Sequence, residues 1–338
     1  MLSNSGCLSY ITPDKWISKP FGEGLRTAQI NNIKQILVAG RDVFDSALVD
    51  SIITLFTKSE HETIGVYKME PSDRSVHKLR DVSKTILSKP YALDIVFSDS
   101  IGLIEKIDKK EDKLGNHYSC ENACATSDCY TLKEILYSLE DGDEFSDEYY
   151  RVINTGTIGR YVDKWGITPM KYLKDKYEYP VSKKTDFHST FPNSYGSKAS
   201  KSKIIIKGLT LLDAALDEQG NTIPGKSTMM IAVDDVDELK VLCAYINSSL
   251  PIFYIKQRYS SSSYNGGINF TKDMINNLPW VSLSDDDKKY VLECVDGIIA
   301  ARKLDDEDEA VSLEKQIDKV FYRYFELNES EIDLVEGA

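Results

Sequence analysis

The chain has 338 residues, 41% of them hydrophobic and 10% aromatic, with a formal net charge of −13. That content supports two domains with a sizeable core and excludes a disordered chain. No apolar run reaches the ~18 residues of a membrane span, and the N-terminus MLSNSGCLSYITPDKW lacks the features of a secretory signal. A cytoplasmic protein with no membrane partner is therefore expected. Six cysteines at irregular spacing do not form the pattern of a disulfide framework.

In chain order, Gly6 to Ile11 reads as a short buried strand. A helix over about Asp14 to Asn32, interrupted at Pro20, leads to a strand at Ile33–Ala39. A third strand follows at Val49–Phe56, and Ile64–Lys68 offers a fourth. Strand, helix, strand, strand is half of an open α/β sheet. The glycine run Phe21-Gly22-Glu23-Gly24 sits in a helical stretch instead of leaving a strand, so it reads as a decoy for a phosphate loop. Residues 69–113 are polar and mixed, with a helical LRDVSKTILSK and a strand-like ALDIVFS, as in a linker.

His117, Cys120, Cys124 and Cys129 place four soft ligands within 13 residues. Tetrahedral zinc accepts a Cys3His set. The spacing does not pair the ligands as C-x2-C or C-x4-C at two sites, however, which favours buried free thiols in a small-residue loop. Glu134 to Glu148 carries seven acids and no base, a solvated helix and loop. Arg151 to Trp165 reads as a strand, a glycine turn and an aromatic. Tyr172 to Lys207, rich in serine with Pro180, Pro192 and Gly196, reads as a long loop.

Lys203 opens a β-branched strand, KIIIKGLTLLDAAL. A turn, a second apolar run (STMMIAVDD) and an amphipathic helix from Val236 to Tyr259 follow. Ser260–Asn269 is an exposed polar loop, and a short helix then stops at Pro279-Trp280. Ser284 opens a helix with buried positions Val291, Val295 and Ile298. A second helix carries Leu313, Ile317, Val320 and Tyr324, and Asn328-x-x-Glu331 is a capping box.

Charge is unevenly spread. Ser284 to Ala338 holds 17 acidic and 7 basic residues. Val181 to Leu209 holds lysines 183, 184, 198, 201, 203 and 207 against Asp186 alone. The acidic sum argues against DNA, because phosphate contacts need cations. The basic central stretch is nevertheless compatible with a nucleic-acid face, or equally with plain solvated surface.

The order K-I-I (from Lys203), I-N-S-S-L (from Ile246), N-G-G-I-N-F-T-K (from Asn265) and L-P-W (from Leu278) resembles the carboxy-terminal specificity domain of adenine-specific DNA methyltransferases. The nearest group is the TaqI-like domain of type IIG restriction-modification enzymes. Upstream, G-x-L-S-Y-I-T-P-D-K-W (from Gly6) and V-F-D-S-A-L-V-D-S-I-I (from Val43) resemble the last motifs of the catalytic domain in that family. Asn154 to Trp165 (N-T-G-T-I-x-R-Y…W) and the end Y-R-Y-F-x-L-N-E-S-E-I resemble its specificity domain and terminal helices.

The resemblance implies an α+β chain. A partial α/β methyltransferase sheet (residues 1–70) and an entry segment (71–113) would precede a mixed, β-rich target-recognition domain (114–280), closed by C-terminal helices (281–338). It implies that Phe44 stacks on an adenine flipped from the duplex, a position that on residues alone suits an ordinary core aromatic. Taken with the basic stretch, whose Lys183, Lys184, Lys198 and Lys201 are natural phosphate contacts, the resemblance gives expected duplex-DNA contacts from Arg160, Tyr161, Lys183, Lys184, Lys198, Lys201, Lys203, Arg258, Ser261, Tyr264, Asn265 and Asn269. Arg160 is equally readable as a cover for Trp165.

Two family elements have no counterpart in the chain: the Gly-rich loop for S-adenosylmethionine and the Asn/Asp-Pro-Pro-Tyr/Phe motif. There is no Pro-Pro pair anywhere. In the family both lie upstream of the motif at Gly6, as does a PD-(D/E)xK nuclease at the far N-terminus of type IIG enzymes. The expectation is a truncated piece or the downstream half of a split enzyme. It would hold no cofactor itself and be inactive alone, with S-adenosylmethionine bound by the full-length parent and the missing upstream methyltransferase or nuclease part as its partner. The contrasting reading is an acidic protein-interaction protein with no DNA role.

Overall fold

The computed structural model describes residues 2–40, 50–87, 91–140, 145–259, 263–264 and 267–337. The chain is α+β and divides into two compact units, Met1–Asp108 with Gln257–Ser261, and Lys109–Lys256 with Ser262–Ala338. Among the described residues, no helix is long and apolar enough to cross a membrane.

The first unit is built on strands β1 (Cys7–Pro13), β2 (Ile33–Gly40), β3 (Ser51–Thr57), β4 (Thr63–Met69) and β5 (Val76–Ser83), with helices α1 (Glu23–Gln29) and α2 (Ile101–Asp108). The sheet order is β1-β3-β2-β4-β5, with β2 and β4 parallel and the other neighbours antiparallel. Ile52, Thr54 and Phe56 of β3 alternate into the core, as a period of two requires. Ile33 and Ile36 of β2 and Ile64 and Val66 of β4 are buried with them. The strand at Gly6–Ile11, expected to be buried, is instead an edge. Among the described residues only β3 pairs with β1, and Leu8, Tyr10 and Ile11 remain exposed. The buried Arg26 guanidinium donates to the carbonyls of Trp16 (2.5 Å) and Lys19 (2.9 Å), tying α1 to the short helical turns before it.

Two expectations for residues 69–113 are corrected. Most of LRDVSKTILSK, expected as helix, lies in β5 and the 3-10 turn after it, because the edge of β4 pairs along Val76–Ser83. ALDIVFS, expected as a strand, contains a 3-10 turn at Asp94–Phe97 that buries Ile95 and Val96.

The second unit opens with β6 (Glu121–Asn122), α3 (Thr126–Glu134), β7 (Tyr137–Ser138), β8 (Tyr149–Ile153), β9 (Met170–Tyr172), β10 (Asp175–Tyr177), β11 (Pro180–Lys183), α4 (Lys184–Thr190) and α5 (Ser194–Ala199). It continues with β12 (Lys203–Lys207), β13 (Leu209–Thr210), β14 (Ala214–Asp217), β15 (Thr222–Pro224) and β16 (Thr228–Ala232). Next come α6 (Val236–Asn247), α7 (Ser249–Arg258), β17 (Ser263–Tyr264), β18 (Gly267–Asn269) and α8 (Lys272–Asn276). The closing helices are α9 (Asp285–Lys303), α10 (Glu307–Tyr324) and α11 (Glu329–Glu336). Small sheets run β14-β12-β16-β6, β15-β8-β11-β7 and β13-β18-β17, with a β9–β10 hairpin.

The stretch Tyr172–Lys207 is not the long loop its serines and prolines suggest. Phe187, Phe191 and Tyr195 are buried and stack edge-on or tilted, with centroids 5.0–5.7 Å apart. This aromatic cluster holds α4 and α5 against β8 and β9. Aromatic burial and the Asn193 cap on Gly196 outweigh the polar composition.

The helix expected over Val236–Tyr259 breaks at Ser248, which is extended and whose Oγ donates to the Tyr245 carbonyl at 2.7 Å. Pro251 is accommodated because it falls in the first turn of α7. The closing helices match the sequence closely. Ser284 caps Asp287 N–H, and Asn328 and Glu331 form the reciprocal capping box at 3.0 and 2.8 Å.

Candidate nucleic-acid interface

The central sheet of the second unit gives the predicted contact residues their positions. In β12, Lys203 lies opposite Asp217 and Ala232, while Lys207 lies opposite Thr228. Four residues of strand separate the two ends by about 13 Å.

The lysine-rich stretch gathers at the Lys203 end, and most of its charge is already committed. Lys203 is fully buried. Its ammonium bonds Asp217 and the Lys201 carbonyl, and burial pulls it below the ordinary lysine range against the opposing pull of Asp217. It is a core cation, so the expected phosphate contact at Lys203 is corrected. Lys198 pairs with Glu121. Lys184 donates to Asn221 Oδ1 at 3.2 Å and sits 5.1 Å over the Tyr150 ring. Lys183 and Lys201 are exposed, with no ion-pair partner among the described residues.

The Lys207 end carries a continuous rim of loops. Asn154 donates to the Lys171 carbonyl (2.6 Å) and accepts from Gly156 N–H (3.0 Å). Thr155 Oγ1 donates to the Ser227 carbonyl at 2.6 Å, and that same carbonyl accepts Gly208 N–H at 3.0 Å. Gly225 N–H reaches the Ile153 carbonyl at 2.7 Å. Beyond Gly208, β13 pairs with β18 so that Leu209 faces Asn269, and β18 pairs back on β17. The loop expected over Ser260–Asn269 therefore contains a small hairpin. A side chain at Gly267 would lie 2.5 Å from Thr210 Cα, which explains the glycine there.

Arg160 and Tyr161 lie inward of this rim. Arg160 Nε donates to Glu314 at 3.0 Å. Its Nη2 donates to the Asn247 carbonyl at 2.5 Å and lies 2.9 Å from the second Glu314 oxygen. Burial opposes the charge, but Glu314 outweighs it and raises the pKa further. Arg302 binds the same carboxylate at 2.8 Å. Tyr161 is buried in the left-handed region (φ +63°). Its N–H donates to the Ala214 carbonyl at 2.7 Å, and its own carbonyl accepts Leu216 N–H. Both residues join the loop to β14 and α10; Tyr161 is buried, which corrects the expected contact there, whereas the Arg160 side chain stays about a third exposed.

Asn247, given no role in the sequence reading, is the hub of the I-N-S-S-L motif. Its amide nitrogen donates to the Ala214 and Cys243 carbonyls, and its oxygen accepts Ala214 N–H. Ser249 N–H and Oγ both donate to the Asp318 carboxylate, at 2.7 and 2.8 Å. The motif fastens α6 and α7 to the sheet and to α10. A buried Asn at a helix end is its only signal in sequence.

In the first unit, Arg258 is paired with Asp108 at 3.2 Å. Phe44, Ser261 and Asn265 lie outside the described residues, and Tyr264 is placed only through its backbone in β17. Asn269 is exposed at the end of β18.

The four proposed zinc ligands have separate partners. Cys124 and Cys129 form a disulfide across the start of α3, with Cα atoms 6.2 Å apart, in place of the free thiols expected. Cys120 is buried, its thiol pushed up by burial, and its N–H donates to Asn276 Oδ1. His117 Nε2 lies 2.6 Å from Asp112. Among the described residues, no group of His, Cys, Asp and Glu is arranged to hold a metal. The Phe21–Gly24 run spans the end of a 3-10 turn at Pro20–Gly22 and the start of α1, and a side chain on Gly22 would strike the Trp16 carbonyl at 2.0 Å. The glycine serves close packing.

No protein-family model matches the chain, and no curated protein does. Among solved structures, the fold is similar to that of one restriction-modification enzyme in particular. The type IIL enzyme MmeI, solved in complex with DNA, superposes with a TM-score of 0.52 and 12% identity over 97% of this chain and 48% of that chain. The type IIG restriction endonuclease BpuSI gives a TM-score of 0.38 and 11% identity, over 95% and 47%. The chain thus spans about half the length of these two proteins. At such identity the MmeI likeness is one of fold.

Proposed function

We propose that the chain is a DNA target-recognition portion of an adenine-specific DNA methyltransferase of a type II restriction-modification system. In this reading it binds duplex DNA and positions the target adenine, and does not transfer methyl groups by itself. The observation that carries the reading is the fold likeness to MmeI, which spans 97% of this chain and whose structure holds DNA. The ordered motifs from Asn154 to Trp280 support it, as do the two exposed lysines of the basic stretch, Lys183 and Lys201. Phosphate contacts of that kind position a protein without reading sequence. The finer features, adenine as target, Phe44 as stacking platform, S-adenosylmethionine in the parent enzyme and a partner carrying the Pro-Pro motif, rest on the motif resemblance.

The acidic closing helices favour a second reading, a protein-interaction role without DNA. A duplex titration separates the two. DNA recognition predicts an affinity that falls steeply between ~50 and ~200 mM salt. No binding at low salt would leave the interaction role. Methyl transfer by the chain alone would contradict its assignment as a non-catalytic portion.

A further inference from the structure

We propose that the rim at the Lys207 end of the central sheet is the edge that reads duplex DNA, with Lys171 and Lys226 on its phosphates and Asn269 at its base edges. The proposal rests on the DNA reading above and assigns it a surface. Hydrogen bonds join the rim without a gap, from Lys171 through Asn154, Thr155, Ser227 and Gly208 to the β13–β18 pair. Its segments 154–157, 171–172, 208–211, 225–227 and 267–269 contain no acidic residue. Lys171 and Lys226 are exposed there, without an ion-pair partner among the described residues.

The opposite end of the sheet is different. Glu121, Glu148, Asp186, Asp217 and Glu218 are interleaved with its lysines, and Lys198 and Lys203 are already neutralised; at the Lys207 end Asp213 neutralises Lys207, while Lys171 and Lys226 have no ion-pair partner among the described residues. A polyanion is therefore drawn to the Lys207 end. The rim is also closely packed. Side chains at Gly208 and Gly267 would lie 2.6 and 2.5 Å from the backbone of Ser227 and Thr210, and both of those residues hold positive φ (60° and 73°). Non-glycine residues in that region cluster at functional sites, and rigid backbone suits base reading. Asn269, exposed on β18, offers the paired donor and acceptor that match adenine in the major groove.

The test is fluorescence anisotropy of a labelled mixed-sequence duplex with the full chain between ~50 and ~200 mM salt. Lys171→Ala with Lys226→Ala is predicted to flatten the log–log salt slope by about 1.8. Lys289→Ala with Lys315→Ala, which removes equal charge from exposed positions on α9 and α10, leaves it unchanged. Selection from a randomised duplex pool is predicted to lose about tenfold preference at one base pair in Asn269→Ala. If the unmodified chain binds DNA but the rim variant keeps its slope, or the helix variant loses as much, this surface is the wrong one. If the unmodified chain binds no duplex at low salt, the DNA reading itself falls and this assignment goes with it.

Discussion

Lys203 shows how residues of one type in one basic stretch divide into different roles. It opens a strand of three isoleucines, and its ammonium is buried against Asp217, which also accepts Thr222 N–H at 2.9 Å and Asn221 N–H at 3.1 Å. Removing one partner of such a pair strands the other charge in the core. Lys203→Ala is therefore predicted to cost about 3–5 kcal/mol in urea unfolding, whereas Lys201→Ala, two residues away and exposed, should change stability by less than about 0.5 kcal/mol. Equal small effects at both positions would mean that the pair is not a buried ion pair. Composition did not separate these two lysines. The isoleucine run after Lys203 did carry the signal, since a strand buried on both faces draws its first residue inward. Arg160 illustrates the same limit, because its partner Glu314 lies 154 positions away and no local pattern joins them.

At the scale of elements, local chemistry was the legible part. The caps at Ser284 and Asn328, the strand at Lys203 and the paired closing helices were readable, because each is specified within one or two turns of chain. Elements decided by distant partners were not. β5 is a strand because β4 offers it an edge, and α4 and α5 exist because Phe187, Phe191 and Tyr195 find a core. That aromatic spacing of four is helical and was masked by the surrounding serines. The break between α6 and α7 belongs to the same class, held by Asn247 on Ala214 and by Asp318 on Ser249. Asn247→Ala leaves the buried Ala214 N–H without its acceptor. A loss of about 1–3 kcal/mol in thermal or urea melts is expected. A melt indistinguishable from the unmodified chain would show that the motif does not clamp the sheet.

For the whole molecule, a net charge of −13 and a DNA-binding role are compatible only if charge is segregated. Composition located the acids on the closing helices, but it placed the cations by their density along the chain. The register of β12 puts the lysine-rich stretch at one end of the sheet and the proposed rim, with the exposed Lys171 and Lys226, at the other. The motif order indicated the fold over nearly the whole chain, while the reading surface required knowing which strand ends meet. Amide hydrogen exchange of the full chain with and without duplex DNA at low salt tests this account most directly. It predicts slowed exchange in peptides covering 154–157, 208–211, 225–227 and 267–269, with α9 to α11 unchanged. No slowing anywhere, or slowing confined to those acidic helices, would contradict it.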